Sequence, residues 1–233
     1  MLNARTQSIL EAAIKEYIKT GEPVSSRELS KKYDFGVKDA TIRNELSLLT
    51  KEGYLAQEHT SGGRVPTDKG YNLFVMHTYQ NLLDSKWIIN DRQTRLASGL
   101  KKGNVREAVK ALSDETRALG VIQSGADVYK TGLNDLFGQL DLDARQDLQE
   151  IIEDFESLDD RLTQFQKKFA KTLSSPQVFI GKKSPITQSE NLSVILDCYT
   201  VDGEKVILAV IGPKRMDYDK NLKLLKGLHE LYE

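Results

Sequence analysis

The stretch from Asp39 to Glu52, DATIRNELSLLTKE, is the most informative in this 233-residue chain. With Ile42 set at zero and about 100° per residue, Leu46 and Leu49 fall within about 40° of it and make an inward apolar stripe. Ala40, Asn44, Ser47 and Lys51 lie about 140–200° away, flanked by Arg43 and Thr41 at about 100° and 260°. The pattern predicts a helix over 39–52, closed by Gly53, whose outer face is short, polar and free of acids. Such a face can enter a major groove about 12 Å wide, where asparagine pairs with adenine, arginine with guanine, and serine or threonine with base or phosphate. An ordinary solvated helix face has the same composition, so both readings stay open on this helix alone.

Working outward toward the N-terminus, Ile9, Leu10, Ala13, Ile14, Tyr17 and Ile18 recur at helical spacing and predict a helix ending at Gly21 and Pro23. Ser25-Ser26-Arg27-Glu28 reads as a capping box for a short second helix ending near Tyr33. Toward the C-terminus, Tyr54 to Gln57 looks like a strand, and residues 59–66 form a polar, glycine-bearing excursion. Thr67 caps a further helix that begins at Asp68. Three short helices followed by a small hairpin is the winged variant of helix-turn-helix. In the hairpin, Thr60, Ser61, Gly62, Gly63 and Arg64 offer hydroxyls, open backbone N–H groups and one cation, which suits contact with phosphate or the adjacent minor groove. His59 either donates to phosphate or shapes the hairpin. Segment 1–80 holds eleven bases and ten acids, so binding would depend on a few placed contacts and on two half-sites.

The rest of the chain reads as α+β. Residues 79–104 predict a linker helix region, Arg106 to Leu119 a helix, and Gly120 to Gly138 a glycine-punctuated stretch. Asp141 to Leu173 reads as one long amphipathic helix, with Leu148, Ile151, Phe155, Leu158, Leu162, Phe165 and Phe169 spaced alternately three and four apart. That seam either packs on a sheet or dimerises the protein. Strands follow at 178–180, 192–200 and 205–211, the last two joined by Val201-Asp202-Gly203-Glu204, and Asp217 caps a C-terminal helix. The Gly212-Pro213-Lys214-Arg215 loop is either an anion or ligand site, or a tight connection with Met216 in the core.

Composition removes several function classes. The net charge is −1, with 33 basic and 34 acidic residues, so no global field marks a nucleic-acid partner. The longest apolar run, Val206 to Ile211, is six residues against the ~20 of a membrane span. The N-terminus lacks an apolar signal core, so a cytoplasmic location is expected. One cysteine, Cys198, and three scattered histidines predict no disulfide, no metal site and no cofactor. Without a nucleophile triad, P-loop or metal cluster, no enzyme activity is expected.

Several runs resemble the HrcA-type heat-inducible transcription repressors. They are Ala40 to Glu45, Gly53-Tyr54-Leu55, His59 to Tyr71, Tyr17-Ile18 with Gly21 to Val24, and Ile211 to Tyr218. Leu112 to Thr116 and Val128 to Leu133 resemble two internal segments of that family. The resemblance implies a winged helix-turn-helix domain over 1–78, the linker helix region over 79–104 and a reduced GAF-like α+β domain over 105–233. It implies a dimeric repressor of chaperone genes on an inverted-repeat operator, kept active by a GroE-type chaperonin. On this reading Lys38, Thr41, Arg43, Asn44, Ser47, His59, Thr60, Ser61, Gly62, Gly63 and Arg64 are the DNA-binding residues. The alternative is a ligand-sensing winged-helix regulator with a small-molecule site in its C-terminal domain. Three departures from the family pattern stand out: Val37-Lys38-Asp39 replaces a serine, so Asp39 is expected as the cap; Glu58 and Gly62 stand in the wing where proline and alanine are usual; and residues 124–128 run directly where the family carries further strands and an inserted dimerisation domain.

Overall fold

The computed structural model describes residues 2–57, 62–84, 90–101, 103–140, 145–169, 173 and 175–232. They divide into two compact units, Met1–Gln80 and Asn81–Glu233.

In the first unit, α1 (Ala4–Thr20) starts where Asn3 accepts a hydrogen bond from the Thr6 N–H and stops at Gly21, whose φ of 73° is left-handed. Helix α2 (Ser26–Lys32) is capped by the Ser25 hydroxyl, which accepts from the Glu28 N–H. Helix α3 (Asp39–Lys51) buries Ile42, Leu46 and Leu49. These side chains join Ile9, Leu10, Ile14 and Leu29 as wholly buried core. Strands β1 (Leu55–Ala56) and β2 (Val65–Pro66) pair antiparallel, and Val24 bridges Arg64 alongside them. Gly63 is glycine because a Cβ there would stand 2.5 Å from the Pro23 carbonyl. Helix α4 (Asp68–Leu83) follows, with the Thr67 hydroxyl accepting from the Gly70 N–H.

Two buried carboxylates fasten these helices. Glu45 on α3 accepts from Arg5 Nη2 at 2.9 Å and Thr6 Oγ1 at 2.7 Å on α1. Glu16 on α1 is held by Lys32 and by Tyr33 Oη at 2.9 Å. Both carboxyls are held below the ordinary range, Glu45 first by the Thr6 hydroxyl and Glu16 first by Lys32.

The second unit is α+β. In chain order it holds α5 (Asp91–Lys101), α6 (Val105–Thr116), β3 (Leu119–Ser124), β4 (Asp127–Thr131), α7 (Leu133–Phe137), α8 (Arg145–Glu156), α9 (Leu158–Phe169), β5 (Gln177–Ile180), β6 (Leu192–Val201), β7 (Glu204–Pro213) and α10 (Tyr218–Tyr232). The sheet order is β4-β3-β7-β6-β5, antiparallel throughout. Alternation along β6 splits the two faces. Leu192, Val194, Leu196 and Cys198 pack with Ile151, Leu158, Leu162 and Phe165 from α8 and α9. On the other face, α10 meets β6 and also α5, which in turn packs on α6. There Gln93 of α5 donates to the Lys223 carbonyl, Tyr199 of β6 to the Leu225 carbonyl and Tyr232 of α10 to the Ala97 carbonyl.

Several expectations change. The glycine-punctuated stretch holds the β3–β4 hairpin, turned at Gly125 with φ of 59°, because Val121 and Ile122 are β-branched core residues. The single long helix is two helices that part at Ser157, where the Asp154 carboxylate of α8 takes the N–H groups of Gln188 and Ser189 and the guanidinium of Arg161 on α9. Its seam residues Ile151, Leu158, Leu162 and Phe165 belong to the core under the sheet, and Leu148 is exposed; of the ends of that expected helix, 141–144 and 170–172 lie outside the described residues. Helix α5, within the expected linker region, buries Gln93, Leu96 and Leu100. The Gly212–Arg215 loop is a tight connection, with Met216 buried and Asp217 capping α10.

Candidate nucleic-acid interface

Helix α3 is positioned by what it buries. The Ile42–Leu46–Leu49 stripe faces α1 and α2, and the Glu45 clasp to Arg5 and Thr6 fixes its roll. Those anchors leave the opposite face in solvent. Ala40, Arg43, Asn44, Ser47, Leu48 and Lys51 are exposed, and Thr41 is half-buried.

Along that face, Asn44 makes no side-chain hydrogen bond among the described residues, so both its amide groups are available. Arg43 is held only loosely by Asp39, 3.8 Å away. The Ser47 hydroxyl donates to the Arg43 carbonyl at 2.9 Å and retains its lone pairs. Lys38 is the exposed N-cap of α3 and makes no side-chain cap bond. Asp39, expected as the cap, is instead the first helical residue, because the Lys38 carbonyl already accepts from the Thr41 and Ile42 N–H groups. The acids within α3 are thus accounted for, Asp39 beside Arg43 and Glu45 buried.

The β1–β2 excursion is described only in part. His59, Thr60 and Ser61 lie outside the described residues, as does Glu58. Gly62 is exposed, and Gly63 packs on the Pro23–Val24 backbone. Arg64 exchanges both backbone hydrogen bonds with Val24. Its side chain folds toward α3, Nε donating to Thr50 Oγ1 at 3.0 Å and Nη1 to the Gly62 carbonyl at 3.3 Å. The expected residues Lys38, Thr41, Arg43, Asn44, Ser47 and Arg64 therefore lie on or against one helix. Sequence reasoning missed Glu45. Its wheel position, about 300° from Ile42, beside the buried stripe, was the available signal. It also missed the exposed Leu48.

In the second unit, a cleft of about 500 Å³ is lined by Glu150, Glu153, Asp154, Arg161, Lys182, Gln188 and Ser189. Asp154 is bonded to Arg161 and two backbone N–H groups, and Lys182 pairs with Glu190 at 2.9 Å. Cys198 sits in the core with burial pushing its thiol up. Among the described residues no helix is long and apolar enough to cross a membrane.

Comparison with known proteins adds the lineage. The family model described as the HrcA protein C-terminal domain matches residues 71–222. A heat-inducible transcription repressor HrcA of Alkaliphilus metalliredigens is 53% identical over 94 residues, 40% of this chain and 27% of that protein. The HrcA of Clostridioides difficile is 45% identical over 118 residues, 51% of this chain and 33% of that protein. The HrcA of Thermodesulfovibrio yellowstonii is 42% identical over 128 residues, 52% and 37% of the two chains. The matches thus span about a quarter to somewhat over a third of these relatives' lengths. A crystal structure of a protein described as hypothetical superimposes with a TM-score of 0.79 at 17% identity, covering 100% of this chain and 98% of that one; at that identity it shows likeness of fold. With the family model matching most of its length, the chain belongs to the HrcA family.

Proposed function

We propose that this chain is a sequence-specific, DNA-binding transcription repressor of heat-shock genes, acting in the cytoplasm as a dimer on an inverted-repeat operator. The first unit is read as a winged helix-turn-helix, with α3 as recognition helix and β1–β2 as the wing. The second is read as a GAF-like domain that receives the stress signal, with a GroE-type chaperonin as its partner. The observation that carries this reading is the outer face of α3: Arg43, Asn44, Ser47 and Lys51 stand together in solvent, with no acid among them. The relatives named heat-inducible transcription repressors support the regulatory role.

Within this reading each residue has a role. Asn44 and Arg43 read base edges, and Thr41 and Ser47 supply hydroxyls to base or phosphate. Lys38 and the wing residues His59, Thr60, Ser61, Gly62, Gly63 and Arg64 hold the backbone. Arg64 must leave Thr50 or reach phosphate from that position, so its contribution is positional. Dimerisation lets two such helices meet half-sites about one helical turn apart.

A gel shift at fixed salt with an inverted-repeat duplex tests this. Asn44→Ala costs about 1–3 kcal/mol and relaxes specificity at one base position, whereas Arg64→Ala weakens all sequences alike. Wild-type affinity in both variants contradicts the assignment.

A further inference from the structure

We propose that Leu48 reads sequence by packing against the 5-methyl group of thymine in the major groove. This deepens the DNA-binding reading above and rests on it. Leu48 is 40% exposed, while Ile42, Leu46 and Leu49 on the same helix are buried. It lies about 240° from Ile42, between Asn44 and Thr41. Thr41, Asn44, Leu48 and Lys51, spaced three, four and three, form one stripe along α3. Leu48 takes no part in the first unit's buried core, and an apolar side chain set among polar ones gains most from an apolar patch on a polar partner.

The major groove has one such patch, the thymine methyl. The stripe also suits a polyanion, since Lys51 ends it and the only acids of α3 are Asp39 beside Arg43 and the buried Glu45. Geometry bounds the position. Four residues separate Leu48 from Asn44, a rise of about 6 Å. At about 3.4 Å per base step, that places the thymine within about two base pairs of the base read by Asn44.

The test begins by selecting duplexes from a random-sequence pool with the full chain. The winners are resynthesised with deoxyuridine replacing thymidine at one position at a time, which removes only the methyl. One thymine in each half-site is expected to be sensitive, its uracil duplex binding about fourfold more weakly. Leu48→Ala weakens binding to the all-thymine duplex by a similar factor and no longer distinguishes uracil there. An unchanged melting temperature confirms that this exposed substitution leaves the fold intact, and the uracil series on the wild-type chain needs no variant. Equal binding to every uracil duplex overturns the proposal, as does full methyl sensitivity in Leu48→Ala. Unaltered duplex binding by Leu48→Ala, with loss of a protein partner, overturns it in favour of a protein-docking role. A pool from which no sequence emerges overturns the DNA-binding reading itself, and the Leu48 proposal with it.

Discussion

Glu45 shows how one side chain can set the presentation of a whole face. It carries a charge, sits on the helix proposed to meet DNA, and is 8% exposed. Were it turned outward, its carboxylate would oppose phosphate; Arg5 and Thr6 draw it inward instead. Replacing Glu45 with Ala leaves the buried Thr6 hydroxyl without this acceptor, while the half-exposed Arg5 turns to water, and is expected to cost about 1–3 kcal/mol of stability. Urea denaturation at pH 7 checks this, and a midpoint matching wild type would show that the clasp contributes nothing. The charged form stabilises the fold, so the contribution is present at neutral pH and is lost as pH falls through the carboxyl's lowered value. At this scale the sequence was partly legible. The capping serine at Ser25 and the left-handed glycine at Gly21 follow from local chemistry. The Glu45 clasp joins residues 39 and 40 positions apart, and no local pattern encodes such a pairing. Asp39 was misread as a cap because the Lys38 carbonyl, not a side chain, starts the helix.

Among elements, β6 and α10 share a buried pair of titratable groups, Asp197 and His229. Asp197 is wholly buried, its Oδ1 accepting the Cys198 N–H at 2.8 Å and its Oδ2 lying 3.4 Å from His229 Nδ1. Tyr199 stacks obliquely between the rings of His229 and Tyr232, and Lys101 approaches Tyr232 from α5. Burial pushes the Asp197 carboxyl up to about 6, against the downward pull of Tyr199 and His229. The folded state therefore binds a proton more tightly than the unfolded chain does. The resulting stability is full below the ordinary value of 3.8 and is lost as pH rises through about 6. Asp197→Asn is expected to flatten that slope, as read from urea midpoints between pH 4 and 7; an unaltered slope would place the titration elsewhere. Helix and strand types for the C-terminal half were legible from periodicity, since β6, β7 and α10 have long, uniform patterns. The β3–β4 hairpin was not, because Gly120, Gly125 and Gly132 broke its apolar run. The break between α8 and α9 was also hidden, since the spacing of three and four continues unbroken through Ser157 and the Asp154 contacts come from residues 34 and 35 positions away.

For the whole molecule, the two units rest on different physics. The first is a small helical core with a short strand pair, whose clasps leave one helix face in solvent. The second is a five-stranded sheet covered on both faces. The β3–β4 turn closes in the few residues from Ser124 to Asp127, in keeping with the expectation that this chain runs directly where the family resemblance places further strands and a dimerisation element. Any dimer of this chain is therefore built from surfaces other than that insertion. Of the two readings of the apolar seam, packing on the sheet holds for Ile151, Leu158, Leu162 and Phe165, while Leu148 stays exposed.

The most direct measurement of the central claim is methylation interference on duplexes selected by the full chain. Guanine N7 lies in the major groove, where the outer face of α3 is proposed to sit. Two symmetric patches of interference are expected, about one helical turn or a multiple of it apart, which shrink at a single guanine in Arg43→Ala. Tight binding that ignores N7 methylation throughout, or a single unpaired patch, would contradict the claim.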